Sequence, residues 1–285
     1  MLRKLLKYEF KYTYKVILLL LGGVALATLI GFISLQSPFW DNLSGRNRYA
    51  DNFAVDLLSM MSFFSITFYI IMLVGVVYAA LIYLVVRFYR TMYTDEGYLL
   101  HTLPATKHQI LISKIFVSSV WMYLIYFAMY ASLAFFILSL INVFTADSVW
   151  LSMPSYLGEF QEFMGEFIDL FGGGWLVSYL VLAVLGVPAA VITFFGAVSM
   201  GQLFAKHRVL MAIASYIVIS IASSIVRSIF QGSLALTTSS FLQTGEDFGQ
   251  YMMVIANSQM IASLLIAAGC YIASYYITSR NLNLD

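Results

Sequence analysis

Long apolar stretches alternate with short polar connections along the whole chain. Crossing the hydrocarbon core of a bilayer takes about 20 consecutive apolar residues, and six stretches reach that length. The pattern therefore predicts an all-α polytopic membrane protein with six transmembrane helices in a single transmembrane domain, residues 1–285. The predicted spans are Val16–Leu35, Ser59–Val86, Ile115–Ile141, Trp175–Leu203, Val209–Phe230 and Tyr251–Thr278.

The amino-acid composition is also typical of a protein that lies mostly within a lipid bilayer. Of the 285 residues, 61% are hydrophobic and only 10% are charged, whereas soluble domains carry about 25% charged residues. The net charge of +1 gives no general attraction to nucleic acid. Cys270 is the single cysteine, which excludes a disulfide within the chain and a cysteine-based metal cluster.

The distribution of basic residues predicts the orientation. If both termini lie on one side, 12 of the 15 lysines and arginines fall on that side, and ten of the 14 acidic residues fall on the other. Basic residues concentrate in cytoplasmic segments, and acidic residues contribute little to orientation. We therefore expect both termini, and the connection between spans two and three, to be cytoplasmic.

The first 15 residues predict a basic amphipathic helix. Its lysines recur every three or four residues and share one helical face. They are Lys4, Lys7, Lys11 and Lys15. Such a helix would lie in the inner headgroup layer with its lysines toward anionic lipid. A generic anchor that only fixes the topology is the alternative interpretation.

The connection between spans two and three, residues 87–114, carries the densest pattern of polar and turn-forming residues. Asp95-Glu96-Gly97 predicts a turn, with a glycine that tolerates positive φ. Pro104 interrupts any helix that runs through Leu103. A new helix is predicted to start near Thr106 and to continue into span three. This arrangement favours a docking surface over a simple linker.

Residues 93–99 read Tyr-Thr-Asp-Glu-Gly-Tyr-Leu, followed by Thr102-Leu103-Pro104 and a helix restart through Lys114. This pattern resembles the loop between the second and third helices of bacterial ABC-2-type permeases. In that family a short coupling helix in this loop contacts a separate ATPase, and an interfacial helix precedes the first span. The residues of this chain that the resemblance assigns to ATPase coupling are Tyr93, Thr94, Asp95, Glu96, Gly97, Leu103, Pro104 and Lys107.

The resemblance implies an ABC-2-type exporter fold in a bacterial cell membrane. It implies two copies of an ABC ATPase subunit and a second permease, identical or related, as partners. ATP and Mg would bind to the ATPase, so this chain would hold no cofactor and would not be an enzyme by itself. The implied function is export of a hydrophobic or amphipathic compound such as a peptide, an antibiotic or a lipid.

Several alternatives stay open at this point. The connection is also consistent with a solvated loop, or with a metal site formed by Asp95, Glu96, His101 and His108, although no established ligand spacing supports a metal. A non-transport subunit, acting as sensor or anchor in signalling or resistance, would use the same ATPase. An ion-coupled carrier is disfavoured because the spans contain almost no ionisable residues. No GxxxxGK[ST] sequence occurs, so a P-loop is excluded.

The face opposite the termini offers a second candidate region. Arg227 is the one ionisable residue within a predicted span. It could bind an anionic substrate or the acidic outer segment, or it could extend to the interface as an anchor. Residues 156–171 predict an amphipathic outer helix that either attracts a cationic substrate or simply lies on the membrane surface. With Arg227, the candidates for a substrate contact or an outer gate are Phe160, Phe163 and Phe167.

Smaller features predict how the spans pack. Pro188 predicts a kink in span four. Small residues four apart, in Ala197-x3-Gly201 and Ser258-x3-Ala262, favour close helix approach. Residues 231–250 are rich in serine, threonine and glycine and are a candidate re-entrant loop.

Overall fold

A computed structural model describes most of the chain. The described residues are 2–37, 40, 53–94, 96–98, 105–144, 173–204, 207–238 and 245–280, with six positions of the outer segment, 158, 161, 162, 165, 166 and 168. Within these ranges all regular secondary structure is helical, so the predicted all-α class is confirmed for the described part of the chain.

Six long helices make up the described fold. They are α1 (Leu2–Leu35), α2 (Phe53–Tyr93), α3 (Lys107–Phe144), α4 (Gly174–Gly201), α5 (Arg208–Thr238) and α6 (Gly245–Arg280). Each is long and apolar enough to cross a membrane. Five predicted spans lie wholly inside one helix, and the fourth passes the end of α4 by two residues. The chain is therefore a multi-pass membrane protein with helices at the predicted positions.

Two helices extend further than the apolar runs indicated. Helix α1 continues without a break from the lysine-bearing segment into the first span, so the structure does not show a separate interfacial helix. Helix α2 continues past Val86 to Tyr93. Residues 87–93 contain no glycine or proline, and the Thr91 hydroxyl donates to the Arg87 carbonyl, so charged residues alone do not end this helix.

The structure describes part of the candidate re-entrant segment, residues 231–250, and its re-entry into the membrane stays a prediction. Helix α5 runs to Thr238 and α6 begins at Gly245, so most of residues 231–250 are helical. Helix α4 continues through Pro188, and its predicted kink stays a prediction.

Internal packing divides the chain into two compact units. The first unit comprises Met1–Phe10, Tyr83–Val120 and Phe163–Asp285, and the second comprises Lys11–Ile82 and Trp121–Glu162. The prediction of one transmembrane domain stays a prediction.

Hydroxyl groups hold the second unit together. Ser132 of α3 pairs with Thr28 of α1 at 2.7 Å and with the Tyr69 hydroxyl of α2 at 2.9 Å. The ring of Tyr69 also stacks on Phe136, with centroids 4.8 Å apart. Among apolar helices the hydrophobic effect does not favour one neighbour over lipid, so hydrogen bonds and close packing give specificity.

Small residues bring α4 close to α5 and α6 in the first unit. A Cβ atom on Gly201 would lie 2.6 Å from the backbone of Ala212 in α5, and one on Gly196 would lie 2.6 Å from Cβ of Cys270 in α6. The predicted close approach at Gly201 is therefore confirmed. Ser258 and Ala262 of α6 are also buried, as their spacing indicated.

Candidate functional site

The predicted coupling residues lie where α2 ends and α3 begins. Tyr93 is the last residue of α2, Thr94 follows it, and Lys107 is the first residue of α3. Residues 94–106, which join them, are named the α2–α3 connection. Asp95, Leu103 and Pro104 lie outside the described residues. Glu96 is exposed, and Gly97 is buried.

Gly97 is required for close packing of the backbone. Its amide donates to the Thr94 carbonyl at 2.7 Å, which confirms the predicted turn. A Cβ atom at this position would lie 2.6 Å from the carbonyl oxygen of Met92. The backbone of Gly97 is not in the left-handed region, so the tolerance of glycine for positive φ is not used here, and the glycine instead avoids a clash with the end of α2.

The helix restart after the connection is capped by Thr106. Its hydroxyl accepts from the Gln109 amide at 3.3 Å, and its carbonyl accepts from the Ile110 amide at 3.1 Å. A threonine N-cap satisfies an amide that has no partner in the first helical turn. The predicted start of a helix near Thr106 is thus confirmed.

Tyr93 fixes the beginning of the connection to α4 and α6. Its side chain is buried, and its hydroxyl donates to the Ser199 hydroxyl of α4 at 2.8 Å. The same oxygen lies 3.4 Å from the Thr278 hydroxyl of α6. The Tyr93 hydroxyl thus connects the end of α2 to Ser199 and Thr278, which lie in the C-terminal parts of α4 and α6.

Lys107 fixes the other end of the connection to the same place. Its ammonium group donates to the carbonyl of Thr278 at 2.8 Å and to that of Ser279 at 3.3 Å. These carbonyls belong to the last turn of α6, where backbone oxygens lack helical partners and the helix dipole favours a cation. Both ends of the α2–α3 connection therefore meet at Thr278.

Aromatic side chains also pack between the helices that Tyr93 and Lys107 connect. The rings of Phe88 in α2 and Phe195 in α4 are both almost fully buried and stack in parallel, with centroids 3.9 Å apart. At the start of α3, His108 hydrogen-bonds through Nδ1 to the Tyr271 hydroxyl of α6. We name Tyr93, Lys107, Ser199 and Thr278 the junction cluster, because they join four helices of the first unit.

A buried ion-pair cluster lies in the same unit and was not found from the sequence. Glu9 of α1 accepts from Lys114 of α3 at 2.6 Å and from Arg87 of α2 at 3.0 Å. The Lys114 side chain is only 4% exposed, and its ammonium group also contacts the Thr91 hydroxyl at 2.6 Å. One carboxylate thus joins three helices.

The sequence did contain a signal for Glu9. It is the only acidic residue among the first 40. At 100° per residue it lies on the helix face opposite the four lysines, among apolar residues. A carboxylate on an apolar face is costly to bury unless it is paired, and in the structure Arg87 and Lys114 are its partners.

The lysines of the N-terminal segment lie on the exposed face of α1. All four are exposed, while Thr13 and Ile17 of the same helix are buried. The predicted separation into a basic and an apolar face is therefore present, within a helix that continues into the first span. The lysines are Lys4, Lys7, Lys11 and Lys15.

The outer candidates are only partly described. Phe160, Phe163 and Phe167 lie outside the described residues. Glu162 and Glu166 are helical and exposed, in agreement with the predicted outer helix. Arg227 lies on α5 and lines a cavity between α4, α5 and α6.

The residues considered as metal ligands do not form a described site. Asp95 and His101 lie outside the described residues, and His108 pairs with Tyr271. Within the described ranges no three histidine, cysteine or acidic side chains are grouped so that they could hold a metal ion.

Comparisons with models of known protein families, with curated proteins and with solved structures found no match. Composition and fold define the class of this molecule: a multi-pass membrane protein whose described residues are all-α, with six apolar helices among them.

Proposed function

We propose that this chain is the membrane-spanning permease subunit of an ATP-driven ABC transporter of the ABC-2 type. It exports a hydrophobic or amphipathic compound across a bacterial cell membrane, with both termini cytoplasmic. Two copies of a separate ATPase subunit bind ATP and Mg, and a second permease, identical or related, completes the membrane part. The α2–α3 connection receives the movement of the ATPase.

The attachment of this connection to α6 carries the proposal. A flexible solvated loop would absorb a displacement, whereas this connection is hydrogen-bonded to α6 at Thr278 through the residue on either side of it. A displacement that moves either end of the connection must therefore break these bonds or move α6. A partner that contacts the connection differently in its two nucleotide states would shift the conformational equilibrium of the permease.

The ion-pair cluster supports the same proposal for the N-terminal segment. Glu9 links α1 to Arg87, six residues before the end of α2, and to Lys114 in the second turn of α3. An ATPase that holds the exposed lysines of α1 would thus act on the same helices that the connection joins.

The composition of a purified complex tests the proposal. The tagged protein is isolated in mild detergent from its own membranes, and accompanying proteins are identified by mass spectrometry. We expect a stoichiometric protein with a Walker A sequence, and the presence or absence of a second permease distinguishes hetero- from homodimer. Recovery of the intact chain without any ATPase would contradict the proposal. An ATPase without substrate-stimulated, vectorial movement would indicate the sensor or anchor role instead.

Glu96→Lys is expected to weaken ATPase binding, because it reverses an exposed charge on the proposed docking surface. Co-purification of the ATPase and its stimulation measure the effect. Glu162→Lys is the matched control, since it makes the same change at an exposed position of the outer segment. Unaltered co-purification and stimulation in Glu96→Lys would contradict the docking assignment.

The double variant Tyr93→Phe/Lys107→Met is expected to separate ATP hydrolysis from transport. It removes the bonds between the connection and α6, while Ser199 and Thr278 keep their hydrogen bonds to the Phe195 and Ser274 carbonyls. The ATPase should still bind, and transport per ATP hydrolysed should fall.

The transported substrate and the released phosphate are both measured, and a control variant shows whether the effect is specific to the two removed contacts. The ratio of transported substrate to released phosphate is compared with that of Tyr98→Phe, which removes a hydroxyl from an exposed tyrosine of the connection. An unchanged ratio in the double variant, with normal ATPase binding, would show that the junction cluster does not transmit movement.

A further inference from the structure

A partly polar cavity lies between α4, α5 and α6 in the first unit. Its volume is about 280 Å³, and it is open on one side. Apolar residues such as Leu182 and Phe194 form part of its wall. Hydroxyl and amide groups form the remainder, from Thr193, Tyr216, Ser220, Ser263 and Gln259. The hydroxyl groups of Thr193, Ser223 and Ser263 donate to carbonyls of their own helices, so towards an occupant they act as hydrogen-bond acceptors.

Arg227 lies at one end of this cavity. Between Val209 and Arg227 the helix rises about 27 Å, close to the thickness of the hydrocarbon core. The guanidinium group is therefore placed near the membrane surface opposite the start of α5. From Tyr216 to Arg227 the cavity follows α5 for about 16 Å.

The guanidinium group has donors left over for a ligand. It donates to the Ser223 hydroxyl at 3.2 Å. Among the side chains that the structure describes, no carboxylate forms an ion pair with Arg227, since both recorded pairs involve Glu9. Guanidinium presents five N–H donors in a planar arrangement that matches phosphate. An anionic group at this end of the cavity would satisfy both charge and geometry.

Size and surroundings indicate which part of a ligand enters. A cavity of this volume is at the small end of the range for ligand pockets, so it accommodates a headgroup and not a complete lipid. A space beside Gly186 adds room, because no atom lies within 4 Å of a Cβ atom built there. The exposed side chains of Ile213 and Ile217 lie beside the cavity-lining positions of α5 at 100° per residue, and acyl chains can pack along them.

We propose that this cavity binds the headgroup of an acidic lipid. The phosphate pairs with Arg227, hydroxyl groups of the headgroup bond to the serine, threonine and glutamine side chains, and the acyl chains leave through the open side. This binding site is independent of ATPase coupling, and it holds whether or not the chain is a transporter.

Ligand-induced stabilisation of the purified full-length protein tests the proposal. The protein in uncharged detergent is titrated with dioctanoyl phosphatidylglycerol, and Tm is followed. A ligand that binds only the folded state raises Tm in a concentration-dependent way. We expect such a rise, and none with dioctanoyl phosphatidylcholine or with soluble glycerol phosphate at equal concentrations.

Two variants address different parts of the site. Arg227→Gln removes the charge, and Gly186→Leu fills the cavity while leaving the arginine in place. Each is expected to weaken the apparent affinity at least about tenfold, which corresponds to about 1.4 kcal/mol. Arg3→Gln removes a charge outside the cavity, and Gly75→Leu adds a side chain at another open helical glycine.

The results of these titrations distinguish an acidic lipid from a soluble anion as the ligand. Equal Tm shifts with glycerol phosphate would overturn the lipid assignment in favour of a soluble anion. Titrations of Arg227→Gln or Gly186→Leu that match those of the two controls would show that the lipid binds elsewhere. Loss of the shift in both cavity variants, with both controls unchanged, is the result that the proposal requires.

Discussion

Glu9→Ala is expected to lower the stability of the protein by about 3 kcal/mol, because it removes the carboxylate that is paired with the buried Lys114. Glu9 is paired with Lys114 and Arg87, whose side chains are 4% and 18% exposed. The Lys114 side chain would then lie in a weakly hydrated position without the carboxylate that offsets its burial, and Arg87 would lose one of its contacts. Thermal unfolding in detergent measures the change as a decrease in Tm.

The source of this loss can be isolated with two further variants. Lys7→Ala shortens an exposed residue of the same helix and should leave Tm almost unchanged. The pair Glu9→Met/Lys114→Met replaces two buried charges with apolar side chains, which is often neutral or stabilising. We expect this pair to recover much of the lost stability. A decrease in Glu9→Ala no larger than in Lys7→Ala would show that the ion pairs contribute little.

Gly201→Ala is expected to destabilise the packing of α4 against α5, by about 1–3 kcal/mol. The added Cβ atom would lie 2.6 Å from both Cα and N of Ala212. These are backbone atoms, so no side-chain rotation relieves the clash, and the helices must separate. The loss should exceed the gain of up to about 1 kcal/mol that alanine brings to a helix.

Gly186→Ala provides the matched comparison in the same helix. A Cβ atom there meets no atom within 4 Å, so the substitution should be neutral or slightly stabilising. Tm values of both variants are measured side by side. Similar values for the two substitutions would contradict the close contact between Gly201 and Ala212.

The helices were predictable because a bilayer imposes one dominant requirement, an apolar run of sufficient length. That requirement located all six. It did not locate the end of α2, because Arg87 and Arg90 are charged but favour helix as much as leucine does. Their charge marks the membrane boundary, and a helix continues past that boundary unless a residue interrupts it.

The candidate site was predictable only in part. Tyr93, Gly97 and Lys107 were named because the connection resembles that of ABC-2-type permeases, whereas Ser199 and Thr278 were not named. The hydrogen bonds of Tyr93 join positions separated by 106 and 185 residues, and Glu9 pairs across 78 and 105. A pattern that spans a few residues cannot predict contacts between positions so far apart in the sequence. For Gly97 the need for glycine was foreseen, but its cause, contact with the Met92 carbonyl, belongs to the folded chain.

Cys270 gives the molecule a built-in reporter of helix separation. It is the only thiol of the chain, and it is buried at the point where α6 meets Gly196 of α4. Thiol reagents require access to the sulfur, so separation of α4 from α6 should speed the modification of this residue. The rate of labelling of the unaltered protein thus follows one specific movement, without any engineered probe. A cysteine introduced elsewhere on an exposed position will react against an almost silent background.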